Sequence, residues 1–423
     1  MQTALFKVTG MTCGDCTSNV TRALKAINGA GDVIVSLSAG EATVQFNERL
    51  TSPEQLKSAV KGAGHGVEVT NPINRWKRHN VKLKFLKCAV FAMAAAAGPS
   101  LAAPGMVYIA DEGSDTVSVL DAESFKKVAT VAVGREPHNV QLSPDGKLAW
   151  VTTNGERRKA GPQKMGMSKD EHAAMTAPGE VWAIDTASRT VVAKVPVGMH
   201  PAHVVLSTDG RFAYATNGGD NTVSVVDTGM RQAVATIPVG AYPHGLRISP
   251  DGKEAYVANL KGGTVSVIDT QARKEVAQIA VGKGPAQTGF TADGRLAFVS
   301  LSQENAVALI DPATRKVVAR IGVGTVPIQL YATPDGKTLF VANQGTKQKP
   351  GKTVSAIDLQ ARKVATTLQT GAGAHGVVVD RDGRYAFISN LYANTVSVID
   401  VKSLKVLKNV PVGRSPNGIS VAP

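Results

Sequence analysis

A repeated five-residue string places the strongest constraint on how this chain can fold. Val-Gly-x-x-Pro occurs six times between residues 133 and 416, and residues 370–374 form a degenerate seventh copy. Successive glycines of the string lie 64, 42, 42, 42, 47 and 42 residues apart, so the period is 42 residues with insertions of 22 and 5 residues. A period of this length is typical of propeller blades built from short strands. The repeats therefore predict a seven-bladed β-propeller over residues 106–423.

Turns and apolar runs place four strands in each period. One complete repeat predicts strands at 244–248, 255–259, 264–269 and 276–281, with a Ser-Pro-Asp-Gly turn after the first. The chain ends on a first strand, and the repeat region begins on a second strand. We expect residues 416–423 to pair with residues 106–135 and close the ring. The longer insertion, at about residues 155–179, falls between a second and a third strand.

Residues 1–70 alternate strand and helix patterns. The order is strand, helix, strand, strand, helix, strand. Val20 and Leu24 belong to an apolar stripe at helical spacing on the first helix. Ser52 precedes Pro53 as the expected N-cap of the second helix. This segment is therefore predicted to form a small α+β domain with a ferredoxin-like βαββαβ sheet, in a chain that is mainly β.

Residues 71–105 carry a basic run followed by an apolar stretch. They hold six Lys or Arg and no acidic residue, and the 16-residue stretch 88–103 ends in small side chains. This pattern is typical of a secretory signal. Either 88–103 is a single membrane anchor that leaves residues 1–70 cytoplasmic, or Val81 is a non-standard start of an exported chain. A buried core helix is the third alternative. We expect the propeller to be periplasmic or extracellular.

A Cys-x-x-Cys motif lies where a loop enters the first helix, in Met-Thr-Cys-Gly-Asp-Cys at residues 11–16. Cys13 and Cys16 can converge on one ion, and a helix N-terminus lowers the pKa of nearby thiols. Soft thiolates select Cu(I) and similar ions, whereas structural zinc needs four ligands. A thioredoxin-like redox pair is the alternative, but that fold needs a longer sheet. We therefore predict a site for Cu(I) or another soft heavy-metal ion at Cys13 and Cys16.

These motifs resemble two known families. Gly-Met-Thr-Cys-Gly-Asp-Cys at 10–16 resembles the heavy-metal-associated domains of copper chaperones, metal-pumping ATPases and mercury-binding proteins. The resemblance implies that both cysteines bind metal. His65 lies in the loop where the family places a modulating side chain near the metal, but bacterial members often have Tyr there, so His65 departs from the pattern. It is a candidate to add a ligand or tune the ion, and an exposed turn histidine is the alternative. Ala-Tyr-Val-Ala-Asn at 255–259 and Thr-Val-Ser-Val-Ile-Asp at 264–269 resemble the YVTN-type seven-bladed propellers. That scaffold hosts many activities, so this second resemblance implies the fold alone.

Six of the eight histidines fall in the propeller, and the repeat places them on one face of the ring. Five of them begin or flank a first strand: His138, His200, His203, His244 and His375. The sixth, His172, lies in the insertion. The insertion also carries Met165, Met167 and Met175, and thioether and imidazole ligands suit Cu(I). These nine residues are candidate ligands of a second metal or cofactor. The alternatives are histidines that only cap strand ends, and a Met-rich surface that contacts a protein or ligand.

Charge and composition narrow the function classes. The net charge is +14, but the densest positive charge lies in the linker at 71–105, so no nucleic-acid partner is predicted. No acid–base pair or cofactor motif marks the propeller as an enzyme. We predict a heavy-metal-binding protein, with copper first, whose exported propeller is a binding scaffold for a metal-trafficking or envelope protein. The alternatives are a propeller enzyme, either lactonase-like or a cofactor-dependent oxidoreductase, and a metal-free protein-interaction propeller.

Overall fold

The chain divides into two compact units, Met1–Ala96 and Ala97–Pro423. The computed structural model describes residues 2–9, 14–36, 41–47, 50–72, 105–154 and 178–422. Within these ranges, no helix is long and apolar enough to span a membrane. The predictions for the linker at 73–104 and the insertion at 155–177 lie outside the described residues.

The N-terminal unit contains a four-stranded antiparallel sheet and two helices. Its elements are β1 (Gln2–Thr9), α1 (Gly14–Lys25), β2 (Ala30–Ser36), β3 (Glu41–Phe46), α2 (Pro53–Gly62) and β4 (Gly66–Pro72). The strand order across the sheet is β2-β3-β1-β4. This is the ferredoxin-like βαββαβ arrangement, so the fold predicted for this segment is confirmed.

Capping and burial explain why the two helices form where they do. Ser52 caps α2, because its hydroxyl accepts the N–H of Gln55 while the Gln55 side chain accepts the N–H of Ser52. Val20 and Leu24 of α1 and Leu56 of α2 are fully buried in one cluster with the sheet residues. Full burial of one such side chain stabilises the fold by roughly 1.5–3 kcal/mol. The apolar stripe of each helix therefore holds it against the sheet.

The described strands of the C-terminal unit form seven antiparallel sheets of four strands, which we number as blades. Blade 1 joins both ends of the unit: β32 (Pro416–Val421), β5 (Met106–Asp111), β6 (Thr116–Asp121) and β7 (Lys126–Ala132). Blade 2 consists of β8 (Val140–Leu142), β9 (Leu148–Thr153), β10 (Glu180–Asp185) and β11 (Thr190–Pro196). Blade 3 consists of β12 (Pro201–Leu206), β13 (Phe212–Asn217), β14 (Thr222–Asp227) and β15 (Gln232–Pro238).

The other four blades follow in chain order. Blade 4 consists of β16 (Pro243–Ile248), β17 (Glu254–Asn259), β18 (Thr264–Asp269) and β19 (Lys274–Ala280). Blade 5 consists of β20 (Pro285–Phe290), β21 (Ala297–Leu301), β22 (Ala306–Asp311) and β23 (Lys316–Gly322). Blade 6 consists of β24 (Pro327–Ala332), β25 (Thr338–Gly345), β26 (Pro350–Asp358) and β27 (Lys363–Gln369). Blade 7 consists of β28 (Ala374–Val379), β29 (Tyr385–Asn390), β30 (Thr395–Asp400) and β31 (Lys405–Pro411).

The first strands of the blades surround the centre of the ring. Each contacts the first strand of the next blade, and the series returns to its start through β32, β8, β12, β16, β20, β24 and β28. The ring is closed in blade 1, where Ile419 of β32 lies opposite Ile109 of β5 and Val421 lies opposite Val107. The prediction of a seven-bladed propeller is confirmed.

A buried amide at the end of the second strand bonds that strand to the third. Asn259 is fully buried, and its Nδ2 donates to Thr264 Oγ1 at 2.9 Å and to Ser266 Oγ at 2.8 Å. The same pair of contacts recurs in blades 3, 6 and 7, at Asn217, Asn343 and Asn390. A Cβ on Gly240 would collide with the Asn259 amide. The glycine of the Val-Gly repeat is therefore needed where this amide packs.

Replacing Asn259 tests this amide contact. We expect Asn259→Ala to lower the free energy of unfolding by about 1–3 kcal/mol, because the buried hydroxyls of the third strand lose their donor. Urea denaturation of the full chain measures the change. Gln360→Ala, at an exposed turn position, is the matched control and should stay within about 0.5 kcal/mol of the parent chain. Equal stability of the two variants would mean that the amide contributes nothing to blade stability.

Candidate functional site

The Cys-x-x-Cys motif follows β1 and extends into the start of α1. Cys16 is in the first turn of α1, and Cys13 lies just outside the described residues. His65 directly precedes β4, whose first residue Gly66 pairs with Thr9 at the end of β1. The loop that holds His65 and the loop that holds the motif therefore leave the sheet at the same end. His65 Nδ1 is buried and has no hydrogen-bond partner among the described residues, so it stays a candidate to modulate the ion.

In the propeller, a bulge opens the first strand of most blades. In blade 4, Pro243 pairs with Asn259 and Leu246 pairs with Val257, so the first strand holds one extra residue. The same register shift occurs in blades 1, 3, 5, 6 and 7. A bulge re-aims the side chains within it. The two residues that follow the opening residue of the strand are therefore released from ordinary strand alternation.

In every blade, at least one of the two residues that follow the repeat proline (Ala374 in blade 7) is polar. The polar residue comes first when the second is glycine, and comes second when the first is Ala or Ile. These polar residues are His138, His203, His244, Gln287, Gln329, His375 and Asn417. Blade 2 alone is polar at both, because Asn139 follows His138. A Cβ on Gly245 would collide with the Gln287 side chain of the next blade. Glycine at this position therefore leaves room for the polar side chain of the neighbouring blade.

Four of these polar side chains are histidines whose rings meet, and we refer to them as the histidine cluster. The ring of His138 lies 5.8 Å from that of His203 and 5.2 Å from that of His244, centre to centre. The ring of His375 lies 6.2 Å from that of His138. The His138 and His244 Nε2 atoms are 3.2 Å apart. One ring nitrogen from each of His138, His203 and His244 lies within 4.8 Å of the other two.

Two threonines of second strands hold the backbone beside the cluster. Thr216 Oγ1 accepts the N–H of His203 at 3.0 Å and donates to the carbonyl oxygen of His244 at 2.6 Å. Thr152 Oγ1 bonds blade 2 to blade 3 in the same way, at 3.0 and 2.7 Å. Each hydroxyl therefore joins two neighbouring blades at the point where they carry histidines.

One carboxylate lies next to the cluster. Glu112 begins the short 3-10 helix Glu112–Ser114 after β5. Its Oε2 is 2.6 Å from Asn417 Nδ2 and 3.7 Å from His138 Nδ1. Burial raises the pKa of Glu112, but the nearby His138 ring and the hydrogen bond from Asn417 outweigh burial and lower that pKa to about 2. Glu112 is therefore ionised near neutral pH and places a negative charge beside His138.

Burial favours the neutral form of the other three cluster histidines. Burial and the nearby His138 lower the pKa of His244 to about 4. Burial, with His138 and His244, lowers the pKa of His375 to about 3. Burial is also the main reason that the pKa of His203 lies well below its usual range, and the charge of Arg247 adds to the effect. A neutral imidazole keeps a lone pair that can bind a metal ion or accept a hydrogen bond.

Two cluster histidines are buried without a bonded partner. His203 is fully buried and His375 is 5% exposed. None of their ring nitrogens has a hydrogen-bond partner among the described residues. Buried polar groups in folded proteins are almost always bonded. These nitrogens are therefore available to a ligand at the centre of the ring.

One of the remaining predicted ligands lies outside the cluster, and the other four lie outside the described residues. His200 is exposed and lies outside the group of histidines whose nitrogens converge. The insertion residues Met165, Met167, His172 and Met175 lie outside the described residues, so their role stays a prediction. Sequence reasoning missed Glu112 and Asn417. The alternation of polar and small residues after the opening proline could have revealed Asn417, whereas no local pattern marks Glu112.

Comparisons with known proteins agree with this division of the chain. Residues 5–66 match the family model described as heavy-metal-associated domain. The copper chaperone CopZ of Staphylococcus aureus (strain JH9) is 34% identical over 67 residues, which are 16% of this chain and 98% of CopZ. The chain belongs to the heavy-metal-associated domain family. This membership supports heavy-metal binding by the N-terminal unit.

The heavy-metal-associated domain also occurs in much larger relatives. Copper-transporting ATPase 2 of Rhizobium meliloti (strain 1021) is 39% identical over 67 residues, which are 16% of this chain and 8% of the ATPase. The chain therefore spans only a small part of the length of that relative, and the match concerns this one domain.

The propeller matches two further family models in part. Residues 346–422 match the YNCE-like beta-propeller model, and residues 173–289 match the Cytochrome D1 heme domain model. The periplasmic gluconolactonase PpgL of Pseudomonas aeruginosa is similar in structure, with a TM-score of 0.60 and 19% identity over 76% of this chain and 99% of PpgL. At that identity the likeness shows the fold alone.

The unpartnered state of His203 can be tested through stability. We expect His203→Leu to raise the free energy of unfolding of the metal-free chain by about 1–3 kcal/mol, because leucine fills a similar volume and needs no hydrogen bond. Urea denaturation in the presence of EDTA measures the change. His200→Leu, at an exposed position, is the control and should stay within about 0.5 kcal/mol of the parent. A loss of stability in His203→Leu would show that the ring is bonded in the metal-free chain.

Proposed function

We propose that the chain is a copper-binding protein whose heavy-metal-associated domain holds Cu(I) through Cys13 and Cys16. The observation that carries this proposal is the Cys-x-x-Cys motif at the start of α1, in a unit with the predicted βαββαβ sheet. Two thiolates are soft ligands and suit a monovalent soft ion. The positive end of the helix dipole favours the thiolate form that such an ion requires.

The position of His65 supports a role next to this ion. Gly66 and Thr9 are paired in the sheet, so the residue before Gly66 lies at the end of the sheet from which the motif loop leaves. His65 Nδ1 has no hydrogen-bond partner among the described residues. We propose that His65 is a third group near the ion, which tunes how readily the ion passes to a thiol-bearing partner in metal trafficking.

Replacing single cysteines of the full chain tests the copper site. In an anaerobic titration against a chromogenic Cu(I) chelator, we expect the parent chain to hold one Cu(I) at this motif. Cys13→Ser and Cys16→Ser should each weaken Cu(I) binding by more than about 100-fold, because each removes a ligand. Loss of a residue that only supports a ligand already weakens metal binding by about 10–100-fold. Cys88→Ser removes the third cysteine of the chain and is the matched control. Unchanged Cu(I) affinity in both motif variants would overturn the proposal.

We further propose that the propeller acts outside the cytoplasm, as a binding scaffold in the periplasm or extracellular space. The basic run and the apolar stretch at residues 88–103 support this proposal, because they have the order and composition of an export signal. Under the anchor alternative, the heavy-metal-associated domain would stay in the cytoplasm.

A reporter fusion tests export. Alkaline phosphatase joined after residue 105 should be active in intact bacteria, because the enzyme needs oxidising conditions to form its disulfides. The control replaces three basic residues of the run, Lys82, Lys84 and Lys87, by glutamate, which should reduce reporter activity several-fold. A reporter that stays inactive with the parent sequence would place the propeller in the cytoplasm and contradict the proposal.

A further inference from the structure

We propose that His138, His203 and His244 form a second metal centre, where the first strands of blades 2, 3 and 4 begin, that takes a divalent first-row transition-metal ion such as Zn²⁺ or Cu²⁺. This site is separate from the thiolate site of the heavy-metal-associated domain. It uses a different ligand chemistry, and its residues lie in the propeller alone.

The spacing of the ring nitrogens fits one ion. Two nitrogens bound to the same tetrahedral zinc at the usual 2.0–2.1 Å lie about 3.3 Å apart. The His138 and His244 Nε2 atoms are 3.2 Å apart, so this pair already has the required separation. A ring nitrogen of His203 lies within 4.8 Å of both. A small rotation of that ring would therefore complete a three-nitrogen site.

The hydrogen bonding of His244 and His203 leaves ring-nitrogen lone pairs free to bind a metal ion. His244 Nδ1 lies 2.9 Å from the carbonyl oxygen of Ala286, which can only accept, so that nitrogen carries the proton and Nε2 keeps its lone pair. Metal-binding histidines commonly have their second nitrogen held by a backbone carbonyl or a carboxylate in this way. His203 is fully buried, and neither of its ring nitrogens has a partner among the described residues. Each of these two rings therefore has a nitrogen lone pair that can bind a metal ion in the space between the three histidines.

Glu112 completes the site around His138. His138 Nδ1 faces Asn417 Nδ2 at 3.1 Å and Glu112 Oε2 at 3.7 Å. With a metal ion on Nε2 the ring proton would lie on Nδ1, where Glu112 Oε2 is the acceptor and Asn417 Nδ2 would have to give up its contact with that nitrogen. Asn417 Nδ2 donates to the same Oε2 at 2.6 Å and so orients it. A carboxylate, a histidine and a metal in series is a recurring arrangement that orients the ring and raises its basicity. The negative charge of Glu112 also offsets part of the charge of a dication.

The described ligand set favours a divalent ion over Cu(I). All three converging donors are imidazole nitrogens, and imidazole suits Zn²⁺, Cu²⁺ and Ni²⁺, whereas Cu(I) prefers thiolate and thioether ligands. Three protein nitrogens leave a fourth tetrahedral position open to another ligand. The ring of His375 lies 6.2 Å from the His138 ring.

The test uses the full chain with Cys13→Ser and Cys16→Ser, so that the N-terminal thiolates cannot bind the added metal. After treatment with EDTA, the chain is loaded with Zn²⁺ or Co²⁺ and desalted, and metal content is measured by elemental analysis. We expect one equivalent per chain and, for Co²⁺, visible absorption bands of tetrahedral coordination. His138→Gln and His244→Gln should abolish retention. His200→Gln, which changes an exposed histidine outside the cluster, should retain metal like its parent.

A second variant separates metal binding from folding and tests the positioning role of Glu112. Glu112→Gln should weaken Co²⁺ binding by about 10–100-fold while the absorption bands keep their shape, because the ligands themselves are unchanged. Thermal unfolding should shift upward on addition of Zn²⁺ in the parent and in His200→Gln, and should not shift in His244→Gln. Absence of both retained metal and Co²⁺ bands in the parent that lacks Cys13 and Cys16 would overturn the proposal. So would retention in His138→Gln and His244→Gln equal to that of His200→Gln.

Discussion

The pairing of β32 with β5 is the interaction on which both the propeller and its histidine cluster depend. It joins the two ends of the repeat region and closes the ring of first strands. The N–H groups of Glu112 and Gly113 add bonds to the carbonyl oxygens of Ser415 and Arg414, at 3.1 and 3.0 Å. A closed ring leaves only short, protected strand edges around its centre, whereas without this pairing blade 1 would lack its inner strand and expose the edge of β5. The same pairing places Asn417 and Glu112 beside His138.

The bulge at the start of most first strands decides what can line the centre of the ring. Because the bulge releases two residues from strict alternation, a blade can direct a polar side chain inward from one of them. Four of the seven blades use histidine there, and burial keeps the rings of His203, His244 and His375 mostly neutral. Leaving such rings without a bonded partner costs stability. A cost of this kind is typical of a site that is kept for binding.

Several features of the site were predictable because they repeat. The 42-residue period located the residues that follow each opening proline, and so brought His138, His203, His244 and His375 to one face of the ring. The cysteine motif marks the N-terminal site through local sequence, since its spacing and its place at the start of a helix are shared by metal sites and redox pairs, and the βαββαβ pattern around it favours the metal site. The separate position of His200 could not be foreseen. It lies before the opening proline rather than after it, and only the backbone path shows that this residue stays exposed.

The sequence by itself determined the seven-bladed ring, the βαββαβ domain and the residue types available for metal binding. It did so because these features depend on local periodicity and on short-range spacing. The tertiary structure alone decided which of the candidate histidines share one space and which groups support them. Glu112 and Asn417 lie beside His138 because the ends of the repeat region pair in blade 1, and the distance between His138 and His244 is set by how blades 2 and 4 pack within the ring. The repeat pattern predicts that the ring closes, but no local pattern encodes which side chains of separate blades come within bonding distance.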